Sequence, residues 1–534
     1  MPKLASLAVA ALLAGAVPHL TVTPVAGAEP AGPPLTFSWP TNVGPLNPHL
    51  YAPNQMFAQA SVYEPLVTIR ADGTVGPWLA TAWTISQDGR TYDFTLRPGV
   101  TFSDGTPFDA AAVKANFDAI LANRSRHDWL DLTRQIDRVE VTGPLAVRLV
   151  LKAAHDPTLR ELALPRPFRF VSPAAMGPGG TTANGIKAPI GTGPWRLIGT
   201  RLGISDTFAA NPTYWGGKPA FARLVVKVIP DPNTRAIALQ TGEVDLVYGA
   251  AGQIPSEAFL RLRNQAPAFS AAVSAPLATR VLALNSARVP TDDPAVRRAI
   301  NHAVDKDTLV RTVLDGLEPR ADTLFAPTVP YADVGLTPYR FDRAAAERLL
   351  DEAGWARGRD GMRAKAGHPL SLELDFVGTN AQQKAIAEVV QADLARIGIA
   401  VRLVGEEESA ILARQKDGRF GLIFGETWGP PYDPASFISA MRAPSHADYQ
   451  AQKGLPDKPA IDATITAALA ATDPAERRRL YATLLTTLHE AAVYLPISHA
   501  VAMAVHRPTV AGVRFGATLN EIPFAAMRPA GAGR

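Results

Sequence analysis

The chain carries ten histidines and no cysteine. Thiolate metal sites, cysteine nucleophiles, disulfides and a lipid-modified amino-terminal cysteine are excluded together, so a bound metal would have to be taken by imidazole or oxygen. The histidines stand singly along the chain, and none is paired at ligand spacing. His489-Glu490 opens like the zinc-protease pattern H-E-x-x-H. The position of the second imidazole is Val493, however, and two ligands one helical turn apart are impossible. The pair reads as a helix-end His–Glu. Gly191-Thr192-Gly193 lacks the third glycine and the strand–helix setting of a dinucleotide loop. There is no glycine-rich phosphate loop closing on Lys-Ser or Lys-Thr and no G-x-S-x-G elbow. The residues by themselves point to a protein that catalyses no reaction.

The elements that would position a site alternate between strand and helix. Asp88-Gly89 is a turn signal, after which Tyr92, Phe94 and Leu96 alternate with polar neighbours as in a half-buried strand, and Val147, Leu149 and Leu151 repeat the pattern. Residues 224–229 form a β-branched run closed by Pro230, and a helix is predicted over 233–240 with Gly242 ending it. Asp342 can cap a helix carrying Ala346, Leu349 and Leu350, with Gly354 as its stop. Ile386, Val389, Val390, Leu394 and Ile397 lie at helical spacing up to Gly398, and Ile399, Val401 and Leu403 then alternate. Such units predict an α/β fold with mixed sheets. The 47 prolines are scattered, and neither a linker nor a fixed-period repeat divides the chain, so the domains are expected to be discontinuous.

A length of 534 residues exceeds one compact core. The 19% of charged residues mix both signs, and the net charge of +4 leaves no footprint for nucleic acid. At the start, Lys3 precedes an apolar stretch over residues 4–17, and Ala26-Gly27-Ala28 supplies an A-x-A cleavage site. Residues 1–28 are therefore predicted to be a signal peptide with Glu29 as the mature start. No later stretch reaches membrane-spanning length. An exported, unanchored chain suits a periplasm, and a monomer is expected.

Several blocks together are highly specific. They are Tyr63-Glu64-Pro65-Leu66-Val67, Trp78-Leu79-Ala80 with Trp83, the run from Asp88 to Arg97, Phe102-Ser103-Asp104-Gly105 and Pro107-Phe108-Asp109-Ala110. Further along come Gly191-Thr192-Gly193-Pro194-Trp195, Asn211 with Tyr214-Trp215, Thr241-Gly242-Glu243-Val244-Asp245 and Val296-Arg297-Arg298-Ala299-Ile300-Asn301. They resemble the signature of the peptide/nickel family of ABC-importer solute-binding proteins over essentially the whole mature chain. The resemblance implies a type II periplasmic binding protein fold, in which two lobes close about a hinge and deliver cargo to a membrane permease. It places lobe I at 29–275 plus 498–534, with an extra subdomain, and lobe II at 276–497. Val43 to Tyr51, Asn54-Gln55-Met56-Phe57, Leu164 to Phe170 and Pro444-Ser445-His446-Ala447-Asp448 look most like the nickel-binding members.

That likeness implies nickel(II) held inside a chelate, either a small carboxylate/amine chelator or free histidines. His446 would be the direct metal ligand and Arg126 and Arg166 the chelate-holding cations. Tyr51, Met56, Trp129, Trp428 and Tyr432 would be the pocket walls. The residue types agree. Guanidinium groups fork onto carboxylates, aromatic faces give rigid walls, and imidazole suits nickel while a chelator fills the other positions. Each residue also has a plainer reading: Trp129, Trp428 and Met56 as core, the arginines as surface ion pairs, and His446 as a loop residue. Arg166 lies between two prolines, which stiffens its backbone. Gly425-Glu426 stands where the nickel members lead one to expect His-Arg, and Asn520 where a Thr is expected. Both bear on which chelator is bound. Peptides or opine-like ligands are the alternative, with Asp433 of Tyr432-Asp433-Pro434 facing a peptide amino terminus.

Overall fold

The computed structural model describes residues 33–51, 55–70, 73–249, 254–516, 518 and 521–531. The predicted signal peptide and Asn520 lie outside the described residues. Two mixed sheets and one antiparallel sheet organise the chain. The first sheet has seven strands, in the spatial order Ser270–Val273, Met503–His506, Leu246–Tyr248, Leu35–Trp39, Arg223–Val228, Ser205–Ala210 and Trp195–Arg201. Its centre is parallel, Leu35–Trp39 running alongside Arg223–Val228, and its flanks are antiparallel. The second has five strands, Ala400–Glu406, Ser371–Val377, Leu422–Glu426, Ala278–Leu284 and Tyr494–Ala500. A four-stranded antiparallel sheet, Ala80–Ile85, Thr91–Leu96, Ala146–Leu151 and Ile136–Gly143, is inserted into the first part of the chain.

Local chemistry accounts for these elements. Helices Pro232–Thr241, Pro294–Ala303 and Pro474–Glu490 each begin with proline after an aspartate whose carboxylate accepts a first-turn backbone N–H. Proline has no N–H to lose there, and the aspartate satisfies a donor the helix cannot. Helix Arg343–Glu352 is capped by Asp342 in the same way. Helix Ala381–Arg396 feeds the parallel pair Ser371–Val377 and Ala400–Glu406 through a turn in which Gly398 has φ +84°. Thr91–Leu96 buries Tyr92, Phe94 and Leu96 and turns its other residues outward, as the alternation requires.

The chain passes between the two mixed sheets after Val273 and returns after Ala500. The passages lie side by side: the Ser274 N–H donates to the Ala502 carbonyl at 2.9 Å, and the Ala502 N–H donates to Ser274 Oγ at 2.9 Å. These two crossings form a hinge. Opposite it, the inserted sheet's flank meets the second lobe through polar pairs. Ser436 Oγ donates to Glu161 at 3.2 Å, Arg442 reaches Asp131 at 3.4 Å, and Arg477 pairs with Asp156 at 2.6 Å. These polar contacts join the lobes through groups that water can satisfy on opening. No described helix is long and apolar enough to cross a membrane.

Candidate functional site

Between the lobes, four aromatic rings, two arginines, a methionine and a histidine come together. Arg126 and His127 sit in a tight helical turn, Arg124–His127, that follows helix Ala110–Ala122. The turn is held by the His127 carbonyl, which accepts from the Leu130 N–H at 2.9 Å and from Thr133 Oγ1 at 3.0 Å. Arg126 donates to the Tyr51 carbonyl at 2.9 Å, and its guanidinium carbon lies 4.9 Å from the Tyr51 ring centroid. Trp129 Nε1 donates to the Tyr51 hydroxyl at 2.6 Å, and that hydroxyl also meets His127 Nδ1 at 3.1 Å.

Arg166 is positioned through a neighbour, Arg169. The wholly buried Arg169 bonds the carbonyls of Leu164 at 2.9 Å, Tyr63 at 3.0 Å and Ala163 at 3.2 Å, and pairs with Glu521 at 3.0 Å. This stitches the loop that carries Arg166. The Arg166 guanidinium carbon rests 4.6 Å from the Tyr51 centroid and 4.5 Å from that of Trp129. Cation–π contacts of this kind contribute on the order of 1 kcal/mol each. Its Nε is buried and has no hydrogen-bond partner. Leaving a buried donor unmade costs about 1–3 kcal/mol, a cost that an acceptor arriving in the cleft would remove.

The second lobe contributes the loop after strand Leu422–Glu426. Asp433 folds this loop back on itself, its carboxylate accepting from the N–H groups of Trp428 and Gly429 at 3.0 Å each. Gly429 has φ +69°, which any side chain would resist. The loop presents Trp428, whose ring centroid is 6.1 Å from Trp129, 6.0 Å from Tyr432 and 5.9 Å from His446. Tyr432 is buried against the inserted sheet's own core, and its hydroxyl approaches Met56 Sδ at 3.8 Å. His446 precedes helix Ala447–Gln452. Gln415 and Gln450 pin its loop, donating to the carbonyls of Ser445 at 3.2 Å and Pro444 at 2.7 Å. His446 faces a cavity of about 220 Å³ that Glu426, Trp428 and Asp448 also line.

Thus Tyr51, Met56, Arg126, Trp129, Arg166, Trp428, Tyr432 and His446 form one connected group. The sequence did not signal His127, Arg169 or the loop-closing role of Asp433. The one available clue was Arg169 flanked by Phe168 and Phe170, a cation in an apolar run that must be buried with many partners. His489 bonds the Thr337 carbonyl at 2.8 Å, far from this group and in keeping with a helix-end role.

Burial sets the charges. It pushes the His127 imidazole down to about 3, with His49, Arg126 and Arg166 adding to the effect, so the ring is neutral. Burial also lowers His446, against the opposing pull of Asp448, and keeps an imidazole lone pair free. Asp433 is pushed up to about 7 by burial, although the bonds from its loop oppose the shift. Burial likewise raises the Tyr51 and Tyr432 phenols, which remain protonated donors. Among the described residues, no three His, Asp or Glu side chains converge as a metal site. One imidazole, two forked cations and aromatic walls can hold an ion only if most of its ligands arrive with it.

Two α/β lobes, a two-stranded hinge and a recognition group in the cleft define a solute-binding protein that closes on a small molecule. Residues 74–449 match the model of the bacterial extracellular solute-binding proteins, family 5 (middle). The chain belongs to this family. It is 53% identical over 497 residues to the nickel-binding periplasmic protein of Escherichia coli K12, covering 93% of this chain and 94% of that one. The crystal structure of NikA from Brucella suis in complex with Fe(III)-EDTA superposes with a TM-score of 0.91 at 59% identity, covering 93% of this chain and 100% of that one. A glutathione-binding protein of Salmonella paratyphi A is more distant, at 28% identity over 86% of this chain and 88% of its own length.

Proposed function

We propose that this chain binds nickel(II) as a small organic chelate between its lobes and delivers it to the membrane permease of an ABC importer, in the periplasm and without catalysing a reaction. The observation that carries the reading is Arg166, stacked on Tyr51 and Trp129 with its Nε buried and unpartnered, across the cleft from a single neutral imidazole. Arg166 and Arg126 bind chelator carboxylates. Tyr51, Met56, Trp129, Trp428 and Tyr432 wall the chelate, and His446 fills a coordination position that the chelator leaves open. The nickel-binding relative and the chelate-bound Brucella structure support this assignment. The protein acts as a monomer, exported by cleavage after Ala28. Lobe I spans 29–275 plus 498–534 and lobe II 276–497, which follows the membership of the two mixed sheets apart from the last strand of the second, which runs on to Ala500.

Peptide or opine binding is the competing reading, and the more distant glutathione-binding relative gives it a basis. It needs Asp433 to meet a ligand ammonium, but that carboxylate is already bonded to the backbone of its own loop. Mass spectrometry of the molecule released from natively purified protein tests the assignment, with calorimetry against nickel chelates and di- and tripeptides. A released peptide, together with no heat from any nickel chelate, sinks the nickel reading.

A further inference from the structure

We infer that Glu426 selects the charge of the bound chelate, favouring complexes that turn amine N–H groups toward the second lobe over polyanionic ones. The inference rests on the nickel-chelate reading and narrows its ligand class. Glu426 ends strand Leu422–Glu426, directly across from Arg280 on the neighbouring strand. Arg280 is shared: its NH2 donates to Glu318 at 2.9 Å, while its NH1 pairs more loosely with Glu426, at 3.6 Å and without a hydrogen bond. Glu318 is further fixed by Ser498 Oγ at 2.5 Å. One guanidinium therefore serves two carboxylates, and Glu426 is the more weakly held of the two.

Its free surface points at the site. Desolvation by the surrounding protein raises the Glu426 carboxyl above the ordinary range, with Arg280 opposing the shift and Glu318 adding to it. Yet 42% of its side-chain surface remains open, and that surface lines the cavity shared with His446, Trp428 and Asp448. Neither lysine nor arginine lines this cavity. Gly425 beside it widens the space, and packing does not demand a glycine there: a Cβ would meet only Val281 Cγ2, at 3.4 Å. A carboxylate lining a protein-walled cavity is stabilised by a ligand that donates N–H or carries positive charge and is opposed by one that brings more carboxylate. The first lobe's wall, with Arg126 and Arg166, makes the opposite demand. The two together suit a bipolar chelate, carboxylates to one side and metal-bound amines to the other, as in a neutral complex of nickel with two histidines.

The test is a pair of titrations followed by tryptophan fluorescence, using neutral nickel–bis(histidine) and dianionic nickel–EDTA as probes at one pH. Wild type should favour the neutral complex, and Glu426→Gln should shrink the affinity ratio by about tenfold, well below the full Coulomb effect of one unit charge a few ångströms away at an effective dielectric near 20 because water screens the open carboxylate. Part of the change should be a gain for the EDTA complex, which structural damage would not produce. If Glu426→Gln melts early, Glu426→Asp, which withdraws the carboxylate by one methylene, should move the ratio in the same direction. A ratio unmoved by these changes while wild type binds both probes overturns the role of Glu426 alone. Failure of wild type to bind either probe overturns the chelate reading beneath it.

Discussion

The two walls of the cleft are built from opposite chemistry. On the first lobe, Arg126 and Arg166 lie on the Tyr51 ring, and the one histidine among them, His127, is buried and held neutral. On the second lobe, His446 stands with Asp448 and Glu426 around a cavity without a cation. The first wall is anchored rigidly through Arg169 and the Tyr51–Trp129–His127 bonds. The second is carried on two loops closed by Asp433 and by Gln415 and Gln450. A cationic wall holds an anion by charge and geometry whatever its metal, whereas a single imidazole discriminates by coordination. Under the proposed function, the contrast separates holding the chelate from reading its metal.

The largest effect should come from breaking the cationic wall. Arg166→Ala is expected to weaken chelate binding by about 2 kcal/mol, roughly thirtyfold, as when a charged partner inside an interface is removed. Arg126→Ala should cost less, because one of its donors is already spent on the Tyr51 carbonyl. Calorimetry showing unchanged affinity in both variants would remove charge from the account of the first wall.

The imidazole comes next. His446→Ala should weaken a coordinatively unsaturated nickel chelate by about tenfold, or 1.4 kcal/mol, and leave a saturated complex nearly untouched. X-ray absorption spectra should lose one nitrogen from the nickel shell only for the unsaturated chelate. Identical shells in variant and wild type would mean that the second wall does not read the metal.

Trp129→Phe keeps the aromatic wall but removes the bond to the Tyr51 hydroxyl, a loss of about 1 kcal/mol, near fivefold. Full affinity in this variant would show that the hydroxyl needs no alignment.

The smallest effect expected is none. The His127 ring proton signals should stay flat in NMR between pH 8 and 5, because the folded ring titrates near 3. The sign follows from linkage: the unfolded chain takes up a proton near pH 6.5 that the folded ring refuses. Stability from this group is present above that pH and is lost as the pH falls toward 3. A His127 midpoint near 6.5 would break the picture of a desolvated first wall.

Much of the fold was legible because its causes are local. The helix read over 233–240, the helix capped by Asp342 and the alternation of Tyr92, Phe94 and Leu96 depend on neighbours a few residues away, and these elements form where the pattern puts them. The site was legible in another sense. Tyr51, Arg166 and His446 are lone residues separated by most of the chain, with no spacing to announce them, and only resemblance to a family grouped them. Nothing of that kind marked His127, an isolated histidine beside an arginine. Sequence alone leaves Asp433 available to a peptide amino terminus under the alternative reading, because no local pattern shows that it closes its own loop.

The sequence by itself determined the compositional exclusions, the order of strands and helices with their caps, and which residue types were available to hold a chelate. Only the tertiary structure decided which of them meet across the hinge, that Arg166 Nε lies buried without a partner, and that Arg280 turns to Glu318 and leaves Glu426 facing the cavity. The division has a physical reason. Helix caps and strand alternation arise from backbone bonds and burial over a few residues. Charge state and ligand contact depend on desolvation and on partners that only folding brings together.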